Sequence, residues 1–109
     1  MITLISCEKI EVVINQNKIL GTWISIDNND TLDFVNYDNF YKSTLYMRYD
    51  HYDYQLYANT IEICYKGIYE VIVFPTLHKY QIEGNNLTID FTNTICYGFG
   101  SEVITYRKE

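Results

Sequence analysis

The stretch Tyr52-Asp53-Tyr54-Gln55-Leu56-Tyr57-Ala58-Asn59-Thr60-Ile61-Glu62-Ile63-Cys64-Tyr65 reads as strand, turn and strand. Tyr52, Tyr54 and Leu56 point one way, and Asp53 and Gln55 the other. Ile61, Ile63 and Tyr65 then share a face opposite Glu62 and Cys64. A period of two is the signature of a half-buried strand, because successive side chains leave opposite faces of the sheet. Ala58-Asn59 supplies the turn between the two runs, since Asn tolerates left-handed backbone and bonds its own main chain.

The same rhythm extends in both directions. Upstream, Leu20-Gly21-Thr22-Trp23-Ile24-Ser25-Ile26 is a strand and Asp27-Asn28-Asn29-Asp30 a hairpin turn. Residues 31–36 follow with Leu32 and Phe34 on one face, then a turn at Asp38-Asn39 and a strand from Phe40. Downstream, Lys66-Gly67 turns the chain into residues 68–74. That run is almost continuously apolar, which suits a strand covered on both sides and ended by Pro75. Tyr80 and Ile82 resume the alternation, Glu83-Gly84-Asn85-Asn86 is a hairpin, and Leu87, Ile89 and Phe91 face inward. A Gly98-Phe99-Gly100-Ser101 loop leads to a closing strand over 102–107. Eight or nine short strands, with turns every eight to twelve residues, define an all-β domain: an antiparallel up-and-down barrel of about eight strands over residues 19–109. Residues 1–18 form an N-terminal tail, in which Val12-Val13-Ile14 favours extended chain over a short helix.

The composition agrees. The chain has 109 residues, enough for one domain, and is 48% hydrophobic, too apolar for disorder. Twelve Tyr suit a pleated surface where a ring packs and its hydroxyl meets water. A net charge of −6 disfavours DNA and RNA, which demand a basic footprint.

Ile19-Leu20-Gly21-Thr22-Trp23 resembles the Gly-x-Trp opening of lipocalin-like domains, and Asp30-Thr31-Leu32-Asp33-Phe34 resembles the second strand of their small bacterial members. Tyr54-Gln55-Leu56, Ile61-Glu62-Ile63, Tyr80-Gln81-Ile82 and Asn86-Leu87-Thr88-Ile89 fit the strands that follow. Ile104-Thr105-Tyr106-Arg107-Lys108 resembles the last strand, whose basic residue packs on the opening Trp. The resemblance, carried by the order of these motifs over residues 19–109, implies a lipocalin-like barrel that binds a small molecule. Closure would set Arg107 beside the first strand, and a guanidinium over the Trp23 indole contributes ~0.5–2 kcal/mol.

Leu4-Ile5-Ser6-Cys7 resembles the lipobox of bacterial lipoproteins, with an apolar stretch before a small residue and a Cys that carries lipid. The alternative is a first strand or frayed tail that contains a Cys. The first reading places the chain at the bacterial cell envelope, lipid-anchored through Cys7 and periplasmic or at the surface. The second places it in the cytoplasm. Lipid on Cys7 is the sole membrane contact expected. Cys64 and Cys96 read as free thiols, with a disulfide as the alternative in an oxidising compartment.

The sequence names no catalytic residue, metal site or cofactor. His51 and Asp53 share a strand face but lack the further ligands a metal demands. Cys64 and His78 have no spacing that marks a nucleophile and its base. The aromatic interior remains: Phe34, Tyr52, Tyr54, Ile72 and Phe91, with Ile63, Tyr80 and Ile89, line one face and are the candidate ligand contacts. Two functions stay open. One is a non-enzymatic envelope protein that binds a small, partly apolar molecule in the barrel. The other is a protein–protein interaction module with a filled core and exposed Tyr41, Tyr46, Tyr49 and Tyr57.

Overall fold

A computed structural model describes residues 3–27, 30–44, 50–68 and 71–109, the first six of these through the backbone alone. The element order is α1 (Thr3–Ile19), β1 (Gly21–Ser25), β2 (Thr31–Phe34), β3 (Asn39–Ser43), β4 (Asp50–Leu56), β5 (Thr60–Tyr65), β6 (Thr76–Glu83), β7 (Asn86–Asp90) and β8 (Val103–Lys108). The eight strands close into an antiparallel up-and-down barrel, each pairing with its neighbours in sequence and β8 returning to β1. Closure leaves no free sheet edge, which an Ile- and Tyr-rich sheet would otherwise expose to association.

Alternation decides what lies inside. Trp23, Leu32, Phe34, Phe40, Tyr52, Tyr54, Ile61, Ile63, Leu87, Ile89, Ile104 and Tyr106 are all buried and form one cluster. Each fully buried large apolar side chain contributes about 1.5–3 kcal/mol. Their strand neighbours Thr22, Asp33, Asp53, Glu62 and Thr88 reach the outer face.

Three sequence expectations are corrected. First, residues 3–19 are helical, not extended. The β-branched run at 12–14 disfavours helix by only a few tenths of a kcal/mol per residue, and contacts with the barrel outweigh it. Ile19 is fully buried. The last turn is capped from the barrel: the Trp23 indole N–H donates to Ile19 O at 2.7 Å and the Lys108 ammonium to Lys18 O at 2.9 Å. These donors satisfy helix-end carbonyls that lack partners within the helix, and a cation there suits the helix dipole. Gly21, at φ 115°, reverses the chain into β1.

Second, the described residues of the 68–74 run, Ile68 and residues 71–74, lie in no strand. β6 begins at Thr76, beyond Pro75, and pairs with β5 from Ile63 to Thr60. The eight-stranded ring is complete without them, so the run has no edge to join. Ile72 is 92% exposed and does not face the barrel interior.

Third, the cation over Trp23 is Lys108, whose Nζ lies 5.2 Å from the ring centroid. In the β1–β8 register Trp23 faces Lys108 while Arg107 faces Ile24. Directly opposed residues share a face, so Arg107 points outward with Ile24.

The barrel has two unlike ends. One carries α1 and the short connections 35–38, 57–59 and 84–85. The far end carries the connections 26–30, 44–49, 66–75 and 91–102. Of the residues singled out from sequence, Asn28, Asn29, Tyr46, Tyr49 and the Cys7 side chain lie outside the described residues.

Candidate functional site

Four of the five expected ligand contacts meet on the inner face. Phe34 stands edge-on to Tyr54 with centroids 5.0 Å apart, and Phe40 stacks on Tyr52 at 4.9 Å and lies 4.8 Å from Phe34. Phe91 stacks on Phe99 at 4.5 Å, and Phe99 itself approaches Tyr52 at 5.4 Å. These spacings are those of packed ring pairs. The middle of the barrel is therefore occupied by its own rings, and Phe99, carried by the 91–102 connection, seals the far end.

The Tyr hydroxyls tie down the ends. Tyr52 donates to Tyr97 O at 2.9 Å, Tyr54 to Asn36 O at 2.7 Å and Tyr80 to Tyr57 O at 2.8 Å. Burial raises all three phenols above their ordinary pKa, most strongly at Tyr52 and Tyr54, with nearby acidic groups adding to the rise. A hydrogen bond from Asn15 works in the opposite direction at Tyr80. All three stay protonated, as donors to carbonyl oxygens must.

The remaining candidates are kept apart by the sheet. His78 faces inward, packs 4.8 Å from Phe91, and shares a 2.7 Å hydrogen bond between Nε2 and Thr76 Oγ1. Cys64 lies on the outer face of β5, so the two cannot act as nucleophile and base. Cys64 and Cys96 are both free thiols. Burial pushes the Cys96 thiol up to about 11; Thr76 acts the other way through a hydrogen bond. At neutral pH that thiol is protonated and a poor nucleophile. On the outer face His51 stacks on Tyr41 at 4.9 Å, bonds Asn39 and lies 3.8 Å from Asp53. Among the described residues no three potential metal ligands converge.

Each end of the barrel has an apolar hollow, and two shallower, more polar ones lie on the outer face of the sheet, beside Gln81 and Thr88 and beside Gln55 and Glu62. Under α1 is a cleft of about 650 Å³, walled by Val12 and Val13 of the helix and by Leu56, Tyr57 and Ala58, with Lys9 and Asn59 as its polar members. A relay holds its two walls together: Asn15 Nδ2 donates to the Tyr80 hydroxyl at 2.9 Å, and that hydroxyl donates to Tyr57 O. At the far end a hollow of about 300 Å³ lies between Ile63, Tyr65, Val73, Thr76 and Cys96, with Ile72 on its rim. The sequence reading missed the α1 cleft. Its one local signal was Asn15, a polar residue directly after Val12-Val13-Ile14 that finds its partner 65 positions away.

Compared with family models, curated proteins and solved structures, the chain matches none.

Proposed function

We propose that this chain is a non-enzymatic, lipocalin-like binding protein that takes a small, partly apolar molecule at the α1 end of the barrel, outside the interior. The observation that carries this reading is the contrast between a ring-filled interior and the cleft of about 650 Å³ beneath α1. Its volume lies within the ~300–1,000 Å³ range of small-molecule sites. Its walls are aliphatic and aromatic, and Lys9 and Asn59 at the edge suit one anionic or hydrogen-bonding group on the ligand. An anchor on Cys7 belongs to the same reading: the described side-chain hydrogen bonds and apolar core contacts that seat α1 come from Val12, Asn15, Asn17 and Ile19, all beyond position 7.

Titration with anilinonaphthalene sulfonate, an apolar fluorescent anion, tests the site. Saturable one-to-one enhancement is expected, weakened by ~tenfold or more in Val13→Glu and unchanged in Ile72→Ser. Equal binding by Val13→Glu and the parent would refute the placement. Intact mass of protein from its own source tests the anchor, a diacylglycerol increment on Cys7 being the expected result.

A second reading, a protein-interaction module, is favoured by the apolar side chains that the far end leaves uncovered, among them Ile68, Ile72, Phe74 and Ile95.

A further inference from the structure

Residues 71–74 read Val-Ile-Val-Phe, a run of strong strand formers. They form neither helix, strand nor turn. Their exposure nonetheless follows a strand's alternation: Val73 packs against the core, while Ile72 is 92% and Phe74 77% exposed. Among the described residues, no backbone–backbone hydrogen bond involves positions 71–74. The segment thus has the side-chain pattern of a strand, an outward apolar face and main-chain donors and acceptors that find no backbone partner among the described residues. Unpaired amides and carbonyls on an apolar run are a template for strand addition.

We infer that residues 71–74 pair with the same segment of a second copy of this chain, as a short antiparallel two-stranded contact about a twofold axis. Three observations favour a second copy. The barrel uses the edges of all eight of its own strands, so no described strand of the same chain is free to supply the partner. Residues 71–77 carry no charged side chain, so two chains of net charge −6 can meet here without facing like charges in the contact. An antiparallel pairing of this run with itself also sets apolar residues opposite apolar residues, and that self-complementarity is what a twofold contact requires. Ile68 on the same connection, 83% exposed, and Ile95 on the 91–102 connection, 82% exposed, extend the apolar surface. The contact is small, so a weak, concentration-dependent dimer is expected rather than an obligate one.

Sedimentation velocity from ~1 µM to ~1 mM reads the association. The parent is expected to shift from monomer to dimer across this range. Ile72→Pro, which removes a pairing amide, and Phe74→Lys, which removes outward apolar area, should each raise the dissociation constant by ~tenfold or more. Ile72→Ser retains the amide and should weaken the dimer less than Ile72→Pro. Far-ultraviolet circular dichroism confirms that each variant keeps the barrel, since both side chains lie outside the core. Hydrogen exchange on the dimer should show concentration-dependent protection of amides within 71–74. A parent that stays monomeric throughout overturns the inference. So does a dimer without protection at these amides, or one whose only partner is an unrelated extended peptide. None of these variants touches the α1 cleft, so failure here and failure of the ligand reading are separately visible.

Discussion

The ammonium of Lys108 holds the Trp23 ring and the end of α1 at once: Nζ lies 5.2 Å from the indole centroid and donates to Lys18 O at 2.9 Å. Trp23 completes the triangle by donating to Ile19 O. The last residues of the barrel thereby cap its first helix.

Lys108→Met retains much of the aliphatic stem but removes the charge. It should cost ~1–2 kcal/mol in urea unfolding, combining a cation–π contact with a charge at a helix C-terminus. Arg107→Met, on the outer face, should change stability by less than ~0.5 kcal/mol. Equal effects at the two positions would contradict the register.

Gly98 should not tolerate a side chain. Its φ is +87°, and an added Cβ would collide with the Tyr52 hydroxyl. Gly98→Ala therefore combines left-handed strain with a steric clash and should cost ~2 kcal/mol or more. Tyr52→Phe removes the colliding oxygen together with its bond to Tyr97 O. In a double-mutant cycle the pair should cost less than the sum of the single changes by ~1 kcal/mol. Additivity would show that the 91–102 connection does not press on Tyr52.

His78 gives the fold an acid-sensitive element. It is buried, and its Nδ1 has no hydrogen-bond partner among the described residues. Desolvation lowers its pKa below the ordinary 6.5, partly offset by the charge of Asp90. The unfolded chain then binds the proton more readily than the folded one. Stability rises with pH in that window and is lost as pH falls through 6.5 toward the lower folded value. The urea midpoint should fall between pH ~7.5 and ~5, and His78→Leu should flatten that slope. An unchanged slope in His78→Leu would assign the acid sensitivity to other groups.

The barrel was legible in the sequence because its signal is local. Tyr52, Tyr54, Leu56, Ile61 and Ile63 repeat every second residue, and turn residues separate the runs. The errors arose where structure depends on distant partners. Val12-Val13-Ile14 has strand preference, yet Asn15 with Tyr80, and Lys18 with Lys108, hold the segment helical. Residues 68–74 have strand preference too, but propensity cannot report whether an edge is free, and here the ring closes without them. Arg107 and Lys108 differ by one position, which in a strand inverts the face. The aromatic inner face was visible, whereas its filling depends on Phe99, which a distant connection inserts. The cleft was invisible because one wall is a helix that the sequence read as extended.

The proposed ligand site in the α1 cleft is tested most directly by chemical shift mapping of the isotope-labelled protein during titration with anilinonaphthalene sulfonate. The expected result is a contiguous set of perturbations at Val12, Val13, Leu56, Tyr57 and Ala58, with Phe34, Tyr52 and Phe91 unmoved. Perturbations centred on those three inner rings, with the α1 cleft silent, would contradict it.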